Sequence, residues 1–250
     1  MANFLFKKSY NLSNFKKIKY DHLWGSIGVF TTIRIFGIKP KYVLINEHLT
    51  QLNKSLKKLN IPFSLTQTKL LDLIPNNLRI KKYDHLLRVA VKKNILSLSI
   101  RPRLQPKKKF KCNLVNYQRS NALIKNLQYK KILSMQKEID MQKEEILFFK
   151  NKNLLEGSTT NIIIIKKNKI ILPKGNIYEG ITLKFLLSKI SKNYSTKFIK
   201  FGDLETADEI ILVGSGKGVL QVSSIPSIKW FSSSSKMFNR LLAIYKEQLK

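Results

Sequence analysis

Cysteine, histidine and acidic residues are all scarce in this chain of 250 residues. The single cysteine, Cys112, excludes a disulfide framework within the chain and a metal site built from several cysteines. The three histidines occur without HxxH or HExxH spacing, so no metal site is expected. No apolar run is long enough to span a bilayer, and residues 1–20 lack the continuous apolar segment of a signal peptide. The composition therefore predicts a soluble, cytoplasmic protein.

The shortage of acidic residues leaves a large positive charge, with 47 Lys and Arg against 15 Asp and Glu and a formal net charge of +32. Such a charge can indicate a nucleic-acid-binding protein that contacts phosphates. The lysines are nevertheless spread along the whole chain, and the one dense run, residues 107–111, lies beside no nucleic-acid-binding motif. Specific nucleic-acid binding is therefore not expected, whereas the positive field would attract a small anionic substrate.

Hydrophobic periodicity predicts two mixed α/β domains separated by a basic segment. The stretch that follows Ile100 is charged and aperiodic, which is typical of a domain boundary. We therefore predict an N-terminal domain over residues 1–104, a basic linker over 105–112 and a C-terminal domain over 113–250.

Local signals predict the main elements of both domains. Asn46 is the predicted N-cap of a helix with leucines at helical spacing, and a second helix is expected to open at Gly180. Lys167-Asn168 is the predicted turn of a hairpin. Segments rich in β-branched and aromatic residues predict strands at residues 29–36, 41–45, 87–91, 95–100, 161–165, 169–172, 198–201 and 209–213.

Three glycine-containing turns carry groups suited to a phosphorylated ligand. Glu156 is a lone acid in the segment LEGSTTN, which precedes a run of four isoleucines. The segment EGIT opens a predicted helix, where backbone N–H groups and the helix dipole favour an anion. The segment GSGKG follows an apolar strand and offers further N–H donors. Each turn alone is weak evidence, but two such turns could hold one phosphate from two sides.

The order of these segments resembles the fold type IV pyridoxal-phosphate (PLP) enzymes, the class IV aminotransferase family, and most of all 4-amino-4-deoxychorismate lyase. The resemblance covers about residues 25–222. It implies a two-domain α/β fold like that of D-amino-acid aminotransferase, with PLP between the domains, and a homodimer. The matching segments, in family order, are GSIGVFTTIRI, EHLTQLNKSLKKLNIP, IKNLQYKKIL, EEILFFKNKNLLEGSTTNIIII, YEGIT and GSGKGVLQV.

The resemblance also implies roles for individual residues. Lys125 stands where the family has the lysine that forms the Schiff base with the cofactor, with Lys130 and Lys131 as competing assignments. Glu156 matches the acid that pairs with the pyridine nitrogen, and Tyr129 either faces the cofactor ring or is a core aromatic residue. The residues implied to bind the cofactor phosphate are Gly180, Ile181, Thr182, Ser215 and Gly216.

Two positions depart from the family pattern. Gln51 replaces the arginine that usually binds the cofactor phosphate, and Leu183 replaces the arginine that usually follows the Gly-Ile-Thr turn. Glutamine can donate a hydrogen bond but carries no charge, so weaker phosphate binding is expected. These losses keep open a basic, non-catalytic binding protein on the same scaffold.

The segment FTTIR favours a lyase over an aminotransferase. Lyases of this family often have a threonine at the position of Thr32, where its hydroxyl can transfer a proton as pyruvate is eliminated. Arg34 and Lys217 are candidates for binding substrate carboxylates, or are structural cations. We therefore expect elimination of pyruvate from 4-amino-4-deoxychorismate to give 4-aminobenzoate, a folate precursor, with a branched-chain or D-amino-acid aminotransferase as the alternative.

Overall fold

The computed structural model describes residues 4–75, 78, 80–190 and 194–250. The chain divides into two compact units. The first contains the chain up to Arg103, the segment Ile124–Lys130 and Leu249, and the second contains Leu104–Leu123, Lys131–Gln248 and Lys250.

The first unit is built on one six-stranded antiparallel sheet with strand order β2-β1-β6-β5-β3-β4. Alternation of apolar side chains along the long strands buries one face against the first helix, in a core that includes Ile33, Leu52, Leu56 and Leu87. Its elements are β1 (Phe6–Asn11), β2 (Lys17–Ile18), β3 (Gly28–Gly37), β4 (Lys41–Tyr42), α1 (Ile45–Lys58), α2 (Gln67–Asp72), β5 (Tyr83–Lys92) and β6 (Ile95–Pro102).

The start of α1 corrects two predictions. The strand predicted over residues 41–45 ends at Tyr42, and the N-cap of α1 is Leu44 instead of Asn46. Leu44 adopts a left-handed backbone with φ 55°, which turns the chain and lets Val43, Leu44 and Ile45 all be buried. Burial of three consecutive apolar side chains thus outweighs the capping preference of asparagine.

The second unit contains a five-stranded sheet, β12-β11-β10-β14-β15, and a six-stranded sheet, β13-β9-β8-β7-β16-β17. A shared apolar core contains Phe110, Leu147, Ile162 and Trp230. Its elements are β7 (Lys111–Asn116), α3 (Lys130–Lys137), β8 (Glu144–Lys150), β9 (Asn153–Gly157), β10 (Asn161–Lys166), β11 (Lys169–Pro173), α4 (Ile181–Lys189), β12 (Tyr194–Lys197), β13 (Ile199–Lys200), α5 (Phe201–Glu205), β14 (Glu209–Gly214), β15 (Gly218–Gln221), β16 (Ser224–Ile225), a 3-10 turn (Pro226–Ile228), β17 (Trp230–Phe231) and α6 (Lys236–Glu247).

The predicted hairpin is confirmed. Strands β10 and β11 pair antiparallel, and Lys167 and Asn168 both have positive φ, 48° and 60°, as a tight hairpin turn requires. The strand predicted over residues 198–201 is confirmed only at Ile199–Lys200, because α5 begins at Phe201. Among the described residues, no helix combines the length and apolar character needed to cross a membrane.

Two segments differ from the predicted domain plan. Residues 105–112, predicted as a linker, are packed into the second unit, where Phe110 is buried and Lys111 begins β7. Residues 124–130 lie in the first unit, although the sequence stretches on both sides of them belong to the second. There Val29 forms a β-bridge with Asn126, so this short segment occupies the edge of β3.

Candidate active site

Lys125 is held at the edge of β3 by backbone hydrogen bonds. The Phe30 amide donates to the Lys125 carbonyl at 2.9 Å, and the Leu127 amide donates to the Gly28 carbonyl at 3.0 Å. The side chain is half-buried, and its Nζ lies 5.2 Å from the centre of the Phe30 ring. The backbone of Lys125 is therefore fixed on a regular sheet, while its amine lies over the sheet face that carries Phe30.

Thr32 and Arg88 share that face. The two residues are direct cross-strand partners on β3 and β5, and Thr32 lies two residues after Phe30, so all three side chains point to the same side. The Arg88 guanidinium lies 3.6 Å from the Trp24 ring centre and donates through Nη2 to the His22 carbonyl at 2.8 Å. Its Nε is buried without a hydrogen-bond partner among the described residues.

Burial lowers the pKa of Arg88 to about 10, against the opposing influence of Tyr20. The group therefore stays charged at neutral pH. A half-buried guanidinium next to a hydroxyl is suited to bind an anionic ligand. Arg88 could not be identified as a site residue from the sequence, because its sequence neighbours do not distinguish it from the other lysines and arginines.

Tyr129 belongs to an aromatic cluster on the first unit. Its ring stacks on Trp24 with centroids 5.6 Å apart and meets Phe30 edge-on at 5.3 Å. Tyr129 is 7% exposed. These contacts place it beside the ring over which the Lys125 amine lies, in agreement with either of its two predicted roles.

The opposite face of β3 carries a buried neutral pair. Thr31 Oγ1 lies 2.7 Å from His48 Nδ1 of α1. Burial, and to a smaller extent the charge of Lys125, lowers the pKa of His48 to about 3. His48 is therefore uncharged at neutral pH and does not add a second cation behind Lys125.

Two predicted residues of the first unit have other contacts. Arg34, proposed for substrate carboxylates, is 6% exposed and pairs with Asp84, with both Nε and Nη2 at 3.0 Å from Oδ1. Asp84 also pairs with Arg103 at 2.8 Å, so a substrate would have to displace an existing ion pair to reach Arg34. Gln51 is half-buried on α1, and its backbone carbonyl accepts a hydrogen bond from Ser55 Oγ at 2.8 Å.

In the second unit, Glu156 at the end of β9 forms a buried ion pair. Arg119 Nε donates to Oε1 and Nη2 donates to Oε2, both at 2.8 Å, and the two side chains are 5% and 7% exposed. The amide of Tyr178 also donates to Oε2 at 3.4 Å. Arg119 precedes Glu156 by 37 positions, so sequence reasoning could not pair the two.

The two predicted phosphate turns lie at the ends of neighbouring elements of this unit. Gly180 caps α4, and its amide donates to Asn161 Oδ1 at 2.8 Å. A Cβ at Gly180 would lie 2.7 Å from that oxygen, which explains the glycine. Ile181 and Thr182 begin α4 and are buried, while the half-buried Ser215 and Gly216 form the turn between β14 and β15.

The amine of Lys217 contacts groups of the second unit itself. Its Nζ donates to the carbonyls of Met141 and Glu144 at 3.0 and 3.2 Å and lies 3.8 Å from the fully buried Glu145. Binding of a substrate carboxylate would require it to leave these partners. The Glu145 carboxylate also accepts from the turn that follows Glu156, through Ser158 Oγ at 2.5 Å and Thr159 Oγ1 at 2.7 Å.

The family is settled by comparison with known proteins. A family model described as amino-transferase class IV matches residues 28–225. The chain belongs to this family. Class IV members bind PLP, and a hypothetical aminotransferase of Mycobacterium tuberculosis, solved in a PLP-bound form, has the same fold. Its TM-score is 0.75 at 14% identity, and the match covers 96% of this chain and 98% of that chain.

Two class IV relatives differ in reaction. The aminodeoxychorismate lyase of Bacillus subtilis is 23% identical over 92% of this chain and 89% of its own length. A provisionally named branched-chain-amino-acid aminotransferase of Methanocaldococcus jannaschii is 26% identical over 82% of this chain and 81% of its own length. The predicted family and the mixed α/β two-domain fold are confirmed, whereas these two identities do not separate a lyase from an aminotransferase.

Proposed function

We propose that the protein is a PLP-dependent lyase that eliminates pyruvate from 4-amino-4-deoxychorismate to give 4-aminobenzoate. Three relations support this assignment. The chain is a class IV enzyme, a lyase is among its relatives, and a threonine hydroxyl shares a sheet face with the predicted cofactor lysine.

The residues present fit PLP. On the first unit, Lys125 carries an amine of the kind that PLP binds covalently. On the second unit, Glu156 offers a buried carboxylate for the ring nitrogen, and the N-terminus of α4 suits a phosphate. When bound, PLP supplies an electron sink for negative charge that develops on the substrate carbon next to the amino group.

Thr32 is the residue that carries the proposal of a lyase. It lies two positions from Phe30, whose ring is 5.2 Å from the Lys125 amine, and it points to the same side of the sheet. In this proposal, Lys125 removes the proton from the carbon that bears the substrate amino group. Thr32 can donate a proton to the ether oxygen that leaves with pyruvate, and elimination requires both steps.

Arg88 is the proposed contact for a substrate carboxylate. It is the direct cross-strand partner of Thr32, it is charged at neutral pH, and its buried Nε has no partner among the described residues. A carboxylate would bind the guanidinium with a charge-assisted hydrogen bond. A substrate with more than one carboxylate is also attracted by the net charge of +32.

The decisive experiment incubates the purified protein and PLP with 4-amino-4-deoxychorismate in the absence of any 2-oxo acid. We expect release of 4-aminobenzoate and pyruvate in equal amounts. Borohydride reduction followed by peptide mass spectrometry should place the pyridoxyl group on Lys125. Labelling at Lys130 or Lys131 would contradict the assignment, and Lys130→Ala is the matched control that should retain activity.

Variants of Thr32 separate the proton-transfer role from a role in the strand. Thr32→Val keeps the shape and the strand propensity but removes the hydroxyl, and should lower kcat by about 10²–10⁴-fold. Thr32→Ser should retain most of the activity. Equal activity of the valine and serine variants would reject Thr32 as the proton donor.

An aminotransferase is the second candidate, because the relative from Methanocaldococcus jannaschii carries that name. It predicts that a branched-chain or D-amino acid converts the bound cofactor to its amine form and that 2-oxoglutarate restores it. This exchange, without release of 4-aminobenzoate in the first assay, would replace the lyase assignment.

A further inference from the structure

The ion pair between Arg119 and Glu156 is unusually complete. The guanidinium contacts both carboxylate oxygens at 2.8 Å, and its Nη2 also donates to the Ala122 carbonyl at 3.2 Å. Both side chains are more than nine-tenths buried. The planar fork of arginine fixes the plane of the carboxylate as well as its position.

A buried carboxylate without a cation would have a different charge. Burial disfavours the ionised form and raises the pKa of a lone carboxyl group, whereas a guanidinium within hydrogen-bond distance favours ionisation. A carboxylate offers about four acceptor positions; Arg119 uses one on each oxygen, and the Tyr178 amide, at 3.4 Å, uses a second on Oε2. The pair therefore presents an ionised and oriented acceptor that was desolvated when the protein folded.

We propose that Arg119 is a positioning residue that keeps Glu156 ionised and in a fixed plane, ready to accept the N–H of the cofactor's ring nitrogen. The proposal rests on the role proposed above for Glu156. It assigns to Arg119 a function that acts through Glu156, without contact between Arg119 and the substrate. It also explains why Glu156 is buried beside a cation of the same unit. A carboxyl group buried there without a cation would bind a proton and lose its charge.

The proposal predicts how the affinity for PLP depends on pH. In the wild type, Glu156 stays ionised across the neutral range and adds no proton uptake to cofactor binding. In Arg119→Met, the carboxyl group has a raised pKa, and below that pKa it is neutral and binds the protonated ring nitrogen less well. The ratio of the variant's Kd to that of the wild type should therefore rise as the pH falls.

The test measures Kd for PLP between pH 5.5 and 9 by absorbance and by quenching of tryptophan fluorescence. Use of the ratio to wild type at each pH cancels the titration of free PLP and of Lys125. For Arg119→Met the ratio should increase by about tenfold per pH unit below the raised pKa and level off above it. Arg119→Lys, which keeps the charge but loses the fork, should show a smaller rise.

Two controls complete the design. Glu156→Gln should weaken PLP binding and leaves no carboxyl group for Arg119 to keep ionised, so it is the background in which the Arg119 substitution is repeated. The double variant Arg119→Met with Glu156→Gln removes both buried charges and should follow Glu156→Gln. If Arg119→Met does not fold, the comparison of Arg119→Lys with the double variant decides the same question.

A flat ratio for Arg119→Met and Arg119→Lys, together with weakened binding by Glu156→Gln, would overturn the proposal and leave the role of Glu156 intact. Wild-type affinity in Glu156→Gln would instead contradict the proposed function of Glu156. Absence of PLP binding by the wild-type protein would reject the proposed function as a whole.

Discussion

The two units of this protein bury their polar groups in different ways. In the part of the first unit that the structure describes, the polar pairs with both members buried are neutral, as in Thr31 with His48 at 2.7 Å and Ser9 with Ser97 at 2.7 Å. Its ion pair of Arg34 with Asp84 leaves the Asp84 side chain 20% exposed. In the second unit the buried polar groups include three carboxylates, and among the described residues no other Asp or Glu is equally buried: Glu145, Glu156 and Glu209.

This difference predicts different weaknesses. A buried ion pair costs free energy when one partner is removed, because the other charge is left desolvated. A buried neutral histidine costs free energy when the pH falls, because only the unfolded chain can take up a proton. The two tryptophans report on the units separately, since Trp24 lies in the first unit and Trp230 in the second.

Removal of a buried charge from the second unit should have the largest effect. Glu145→Gln leaves Lys217 without its carboxylate and weakens the hydrogen bonds from Ser158 and Thr159. We expect a loss of about 3–5 kcal/mol in the free energy of unfolding. Denaturant titration of the Trp24→Phe background, in which fluorescence follows Trp230 alone, measures it.

Two variants serve as controls for Glu145→Gln. Glu138→Gln, at an exposed position of the same unit, should change stability by less than about 0.5 kcal/mol. Adding Lys217→Met to Glu145→Gln should recover part of the loss, because no unpaired cation remains. Full wild-type stability in Glu145→Gln alone would remove the distinction between the units.

Acid should weaken the first unit through His48. The pKa of His48 is about 3 in the folded state, lowered by burial and then by Lys125, against 6.5 for a free histidine. Below pH 6.5 the unfolded state therefore binds more protons, and stability should fall with decreasing pH by about 1.4 kcal/mol per pH unit. Denaturant titrations between pH 7 and pH 4.5 in the Trp230→Phe background measure this slope.

Two variants test the origin of the slope. His48→Gln should flatten it, because the titrating group is gone. Thr31→Val removes the hydrogen bond but leaves the buried imidazole, so it should reduce stability by about 1 kcal/mol and keep the slope. A slope that persists in His48→Gln would assign the acid sensitivity to another group.

The smallest effect is expected at an exposed pair. Glu247 and Lys250 are 2.7 Å apart on the surface, with side chains 68% and 74% exposed. Glu247→Gln should change the unfolding free energy by less than about 0.5 kcal/mol. A loss as large as that of Glu145→Gln would show that burial is not what makes the second unit sensitive.

Much of the fold follows from local sequence patterns. The isoleucine run of β10, the Lys167-Asn168 turn and the β-branched and aromatic residues of β3 each predict structure from neighbours in sequence, and the structure confirms all three. Strand β1 was missed because two of its six residues are lysines, and β7 was missed because its first residue ends the basic run at residues 107–111. The start of α1 was misplaced because burial of residues 43–45 decided it.

The site was predictable to a smaller extent. The family resemblance predicts roles for Lys125, Glu156 and the glycine turns, and in the structure each lies at the end or edge of a regular element. The partners of these residues could not be predicted, because pairs such as Arg119–Glu156 and Lys217–Glu145 depend on contacts distant in sequence. For the same reason, Arg88 became apparent only from its burial and its position beside Thr32.

The placement of residues 124–130 has a consequence for synthesis of the chain on the ribosome. The edge of β3 is covered by this segment, which emerges only after residues 104–123 of the other unit have been made. A nascent chain of about 100 residues would therefore expose an open strand edge, the kind of surface that recruits other strands and promotes aggregation. The segment that closes this edge also carries Lys125, so the lysine predicted to bind the cofactor is made only as the first unit becomes complete.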